Sequence, residues 1–220
     1  MAQTDGRTIR WEGHSDAQRE RLVSAAIALI EDGAEAPTLA DIGRQAGIAR
    51  SAVYRHFVGK AELDAAVQRR IFRDLAAELL PSLEMTGAPQ VAWRRALTTY
   101  VVWAADHPLL HRRAVLDPDG GPLQAGLDEI ARRIADGMVA WFEALGAFVT
   151  EADRAATDPL AHGLVGGVFA TVRRWVELGA TVPDRPHLID LLVEATGAMI
   201  EIRLRSYGLS LGEAEGAPTS

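Results

Sequence analysis

The sequence predicts an all-α protein, with a three-helix head joined by a lever helix to a larger helical domain. Three observations predict it. Apolar residues recur every three or four positions in successive segments. Those segments are bounded by helix punctuation: hydroxyl caps at Thr38 and Thr150, prolines at 89 and 122, and glycines at 47, 179 and 208. Two segments between Thr38 and Phe57 are short and divided by a glycine, and the second of them is basic and aromatic.

Residues 1–14 read as an arm carrying Arg7, Arg10 and Trp11, mobile at its start, of the kind that reaches along a DNA backbone or into a minor groove. Ser15 or Asp16 caps the next helix, which runs to about Glu31 with Leu22, Ala26, Leu29 and Ile30 on one face. Asp32-Gly33 ends it, and residues 34–37 form a loop.

Thr38 places a hydroxyl where the next apolar period begins, with Asp41 three positions on, so the helix from Leu39 is capped and its first turn is favoured by charge. Leu39, Ile42 and Ala46 make its buried face. Gly47 closes it, because glycine accepts a left-handed conformation without steric cost. Ile48 fills the corner. A further helix runs from Arg50 to His56 or Phe57, with Val53 and Phe57 inward. Arg50, Ser51, Tyr54, Arg55 and parts of Ala52 and His56 then look outward. Seven residues are fewer than the roughly 12 to 15 that hold a helix alone, so the rest of the head must clamp it. This is the pattern of a helix-turn-helix reader of DNA.

Charge points the same way. Arg44, Arg50, Arg55 and Lys60 fall in a stretch with no Asp or Glu, a local charge of +4 in a chain of net charge −7. A basic face on an acidic protein attracts polyphosphate at that surface alone. Lys60 is the single lysine among 23 basic residues.

These residues resemble the tetracycline-repressor (TetR) family of bacterial transcriptional regulators. The resemblance runs from Leu22 to Leu63 and is strongest in Ala46-Gly47-Ile48 and in Val53-Tyr54-Arg55-His56-Phe57 with Lys60. It implies DNA contacts at Tyr54 and His56, a phosphate contact at Lys60, and a base-reading surface at Arg50, Ser51 and Ala52. Thr38 and His56 are further phosphate contacts, and Arg44 and Arg55 complete the expected interface. One departure is Ala49, where the family often has Ser or Thr to cap the reading helix; either the cap is missing or Ser51 substitutes for it.

From Lys60 a helix runs to Leu80 and is ended by Pro81, with Leu63, Val67, Ile71, Leu75 and Leu79 four apart. At roughly 30 Å long it is the lever between domains of residues 1–62 and 63–208. Pro89 opens a helix to Asp106, a short helix follows from Pro108 to Val115, and Asp117-Pro118-Asp119-Gly120-Gly121 closes it. Pro122 opens a helix to about Leu145. Thr150 with Asp153 caps the next, which Asp158-Pro159 restarts or kinks before it ends at Leu178. The last helix spans about residues 186–207, and residues 209–220 have the composition of a disordered tail.

Two constellations in the second domain bear on function. Gly163, Gly166, Gly167 and Ala170 on one helix, with Ala195, Gly197, Ala198 and Ile202 on the last, let helix backbones approach closely. The resemblance implies a homodimer there, with Gly163, Gly167, Ala170, Ala195, Ala198 and Ile202 at the interface. Trp93, Tyr100, Trp103, Met138, Trp141, Phe142 and Trp175, with His111 nearby in sequence, are read as core or as the wall of a small-molecule pocket. The resemblance implies the pocket and a largely apolar or aromatic effector.

Other chemistry finds little support. There is no cysteine, so disulfides and thiolate chemistry are excluded. His107 and His111 are four apart but lack a third metal ligand, and Asp117 to Gly120 matches a calcium loop only at its start. No nucleophile elbow, zinc-protease motif or phosphate-cradling loop occurs, so neither an enzyme nor a cofactor is expected. The apolar runs are too short to span a bilayer and the first residues are no secretion signal, so the expected location is the cytoplasm. The expected function is a homodimeric repressor on a near-palindromic double-stranded operator, released by a small molecule. A small-molecule binding or scaffolding protein whose head no longer reads DNA is the alternative.

Overall fold

The computed structural model describes residues 6–83, 89–115 and 121–210, without the side chains of residues 6–14, 89 and 115. Among these residues every regular element is helical. The helices are α1 (Gly6–Glu31), α2 (Leu39–Ala46), α3 (Arg50–His56), α4 (Lys60–Leu79), α5 (Pro89–Asp106), α6 (Pro108–Val115), α7 (Gly121–Ala144), α8 (Glu151–Glu177) and α9 (Arg185–Arg205). A 3₁₀ turn, Leu80–Leu83, follows α4.

The local signals act as their chemistry requires. The Asp41 amide donates to the Thr38 hydroxyl at 3.2 Å while the Thr38 amide donates to the Asp41 carboxylate at 3.1 Å, a reciprocal capping box. Those hydrogen bonds from Thr38, helped by Arg44, lower the pKa of Asp41. Gly47 takes φ +65° and donates its amide to the Arg44 carbonyl, closing α2. Thr150 and Asp153 form a second box at the start of α8, and Asp184 caps α9 through the His187 amide.

One expectation is corrected and two open alternatives are narrowed. Helix α1 begins at Gly6, so most of the expected arm is helical and neither Ser15 nor Asp16 starts the element. Helix α8 continues through Pro159, so of the two readings the helix does not restart there. Proline removes one amide donor there, and burial of Thr157, Ala161 and Leu164 on either side of it holds the helix together. At the start of α3 the cap is missing, the first of the two alternatives: Ala49 caps nothing by side chain and Ser51 makes no substitute. The turn at 117–120 and most of the proposed tail lie outside the described residues.

The hydrophobic core does not stop at residue 62. Leu22, Ile42, Val53 and Phe57 of the head join Leu63, Val67, Ile71 and Leu75 of α4, and through them Leu97, Val101, Ile130 and Trp175 of the second domain. The lever is thus built into both halves. A smaller core of Met138, Phe142, Leu164 and Leu204 closes the far end.

Candidate DNA interface and effector cavity

Helix α3 is too short to stand alone, and the structure shows what holds it. Val53 and Phe57 are buried completely, with Ala52 and Ile48 beside them. Gly43 on α2 makes the approach possible: a Cβ there would lie 2.9 Å from the Val53 side chain and 3.0 Å from the Ile48 carbonyl. At the other end, Arg19 of α1 donates to the His56 carbonyl at 2.5 Å and to Glu62 at 2.9 Å, with its guanidinium 4.1 Å from the centre of the Phe57 ring. Arg21, half a turn on, donates to the Ala46 carbonyl at 2.7 Å. Two arginines of α1 therefore occupy the carboxyl ends of α2 and α3, where the helix dipoles favour positive charge. Glu62 completes the clamp by accepting from the Val58 amide, and this contact with the Arg19 pair lowers its pKa.

What remains free defines the outward face. Arg50, Ser51, Tyr54 and Arg55 are exposed, Tyr54 by 48%. The Arg50 guanidinium sits 6.0 Å from the Tyr54 ring centre. Ala52 is buried, which corrects its assignment to the DNA surface: at position three of α3 its methyl points with Val53 into the head. His56 is half-buried, its Nε2 2.9 Å from the Gln18 amide oxygen. The +4 stretch is also partly compensated from outside its ends. Arg44 pairs with Asp41 at 2.7 Å, three residues back, and Lys60 pairs with Asp64, four residues on. Among the described residues, Arg50 and Arg55 are the two cations of that stretch without an ion pair. The Thr38 hydroxyl is exposed but engaged with Asp41.

The second domain touches the head through α6. Arg113 of α6, 15% exposed, shares Asp64 with Lys60 at 2.5 Å, and His107 meets Glu31 of α1 at 2.8 Å. Asp64 thus joins a cation of the head to one of the second domain.

The aromatic set divides in two. Trp93, Met138 and Trp141 line a cavity of about 310 Å³ between α5, α7 and α9, with Ile134, Val193 and Ile200. Its polar groups are Gln90, Arg133 and Glu194. Trp93 and Tyr100 line a second, apolar cavity of about 60 Å³ with Leu97, Ile130, Val168 and Phe169. Trp103, His111, Phe142 and Trp175 line neither. Phe142 is buried in the smaller core, and the Trp175 indole donates to the Pro183 carbonyl at 2.7 Å. His111 lies behind the second cavity, its Nε2 2.9 Å from the Tyr100 hydroxyl and its ring stacked 5.5 Å from Phe169. Its Nδ1 is buried without a hydrogen-bond partner. Burial, with Arg173 nearby, pushes the imidazole down to about 4, and burial pushes the Tyr100 hydroxyl up. His107 and His111 therefore have separate partners, and no group of three or more potential metal ligands occurs among the described residues. No described helix is long and apolar enough to cross a membrane.

The residues proposed for a dimer contact share a property. Gly163, Gly167, Ala170, Ala195, Ala198 and Ile202 are all exposed, Ile202 by 69%. A Cβ added at Gly163, Gly166 or Gly167 would meet nothing within 4 Å.

A trihelical head with a glycine-turned, clamped third helix, mounted on a helical domain with a cavity between its helices, defines the class of helix-turn-helix transcriptional regulators. Comparison with known proteins narrows this. Residues 22–67 match the family model for bacterial regulatory proteins of the tetR family. An uncharacterized HTH-type transcriptional regulator of Mycobacterium tuberculosis is 26% identical over 215 residues, covering 91% of this chain and 89% of that one. A tetR-family regulator from Streptomyces coelicolor superposes with a TM-score of 0.68 at 19% identity, over 90% of this chain and 88% of that one. SmeT, the repressor of the Stenotrophomonas maltophilia multidrug efflux pump SmeDEF, gives 0.55 at 26% identity, over 86% and 89%. Residues 22–67 thus carry a head that matches the TetR family's model, and the chain as a whole has the fold of tetR-family regulators.

Proposed function

We propose that the protein is a homodimeric repressor that binds a near-palindromic operator through α3 and leaves it when a small, largely apolar or aromatic molecule enters the cavity between α5, α7 and α9. The observation that carries this reading is the outward face of α3. Its two unpaired arginines, a serine and a tyrosine project from a helix whose other side is pinned at both ends. In this reading Arg50 makes a bidentate contact to guanine, Ser51 flanks it, and Tyr54 and Arg55 reach phosphates. Lys60 reaches phosphate by exchanging Asp64, which Arg113 continues to neutralise. Two heads place their third helices in successive major grooves roughly 34 to 36 Å apart.

Dimerisation is supported by the exposed small-residue face of α8 and α9, where Leu191, Met199 and Ile202 add apolar surface. Ligand control is supported by the cavity and by the likeness to SmeT, which has also been solved with triclosan. An effector needs only unequal affinity for the DNA-competent and DNA-incompetent arrangements.

The test is fluorescence anisotropy of labelled duplex from upstream of the protein's own coding sequence, across a salt series. The reading expects saturable binding that weakens steeply with salt and exceeds binding to scrambled duplex by at least 10³-fold. Equal affinity for both duplexes would instead favour a binding protein with a vestigial head.

A further inference from the structure

The two cavities are not independent. Leu83, Trp93 and Ile134 line both, so the chamber of about 310 Å³ and the pocket of about 60 Å³ share a wall. Indoles aside, the chamber has three polar side chains and the pocket has one, Tyr100, whose hydroxyl is already bonded to His111. At about 30 Å³ for a water-sized group, the chamber holds about ten such groups and the pocket about two. Polarity and volume both fall from the chamber to the pocket across that wall.

The polar end is not neutral in its preferences. Arg133 is held to Glu129 at 2.8 Å, a carboxylate that Arg132 also contacts. Glu194, exposed on α9 at the chamber wall, has no ion pair among the described residues. A head that donates hydrogen bonds therefore finds an acceptor there without breaking a contact. Trp93 and Trp141 supply flat walls, and the Trp93 indole is fixed by donation to Thr196 at 2.5 Å.

We propose that the effector is a ring-bearing amphiphile, with a hydrogen-bond-donating head such as an amine at Glu194, a ring between Trp93 and Trp141, and a short unbranched tail passing Ile134 into the inner pocket. This rests on the chamber being the effector site. It also assigns the inner pocket a role, as the gauge of tail length.

Calorimetry of the full-length protein without DNA, using 4-n-alkylbenzylamines from methyl to hexyl, tests it. Affinity should rise about fourfold per methylene while the tail fills the pocket, two or three carbons in all, and then stop rising. Val168→Phe, from a half-buried position on the pocket wall, should remove that rise and leave the methyl homologue unaffected. Ala96→Leu fills the pocket from another wall and gives the same readout if the first variant fails to fold. 4-n-Alkylbenzoates should bind at least tenfold more weakly than the matching amines, a gap that Glu194→Gln closes. Affinity flat with tail length, a rise that both filled-pocket variants keep, or benzoates as tight as amines would each overturn the proposal. DNA release is scored separately by anisotropy. Amines that bind with the expected length dependence but never release DNA uphold this ligand assignment and remove the regulatory reading; release by a tail-less compound, with no length dependence, does the reverse.

Discussion

The head and the second domain meet the same demand, holding helices in register, by opposite means. In the head, two helices of eight and seven residues are tied at nearly every end: a capping box at Thr38, a left-handed glycine at 47, and Arg19 and Arg21 on the two carboxyl termini. The second domain uses long helices whose length supplies the contact area, and it leaves a chamber of about 310 Å³ among them. On the proposed function the contrast has a purpose: a groove reader gains from a fixed surface, and an effector-binding domain from incomplete packing. The difference teaches where each kind of substitution will be felt.

The largest effect expected is in the head. Phe57→Ala removes a fully buried ring and the partner of Arg19, and should cost about 3 to 5 kcal/mol in denaturant unfolding, with DNA binding lost. A cost below about 1 kcal/mol would break the picture of a tightly pinned head.

The second domain has its own buried liability in His111, whose folded pKa of about 4 lies below the ordinary value of 6.5. Because the unfolded chain takes up the proton first, stability should be complete above pH 6.5 and fall as the pH drops towards 4, by up to about 3 kcal/mol. Chemical denaturation at pH 7.5, 6, 5 and 4.5 reads this slope, and His111→Phe should flatten it. An unchanged slope in the variant would place the acid sensitivity elsewhere.

Arg19→Ala should cost about 2 kcal/mol and weaken operator binding, although Arg19 lies on α1 and not on the outward face of α3. Arg73→Ala, an exposed arginine whose only described ion pair is at 3.8 Å, should fall within about 0.5 kcal/mol of the parent. Smallest in monomer stability, Ala198→Arg should change it by less than about 0.5 kcal/mol yet shift the sedimentation coefficient from dimer to monomer. A dimer that survives this substitution would move the interface off α8 and α9.

How far sequence reaches follows from the range of each interaction. The helix-turn-helix was legible because its signals are local: Thr38 with Asp41, the glycine between α2 and α3, and the inward pair Val53 and Phe57. Arg19 and Gly43 were not. Arg19 acts on residues 37 and 43 positions away, and Gly43 sits inside a helix where the sequence alone gives no reason for a glycine. The charge count over Arg44 to Lys60 missed Asp41 and Asp64, which lie outside its ends but within one helical turn. Ala52 was placed outward because α3 is so short that one position decides between faces. Among the aromatic residues, period identified a set that packs inward but could not separate Trp93 and Trp141 on a cavity wall from Phe142 and Trp175 in solid core, since that depends on how α5, α7, α8 and α9 are rotated against one another.

The outward face of α3 is tested most directly by measuring Arg50→Ala on two duplexes, an operator selected by the parent protein from a randomised library and an unrelated sequence, each across a salt series. Loss of roughly 1 to 3 kcal/mol on the operator, confined to discrimination at one base pair and with little change on unrelated DNA, is the predicted result. Equal losses on both duplexes would contradict it, because Arg50 would then be one more phosphate contact and the reading surface would lie elsewhere.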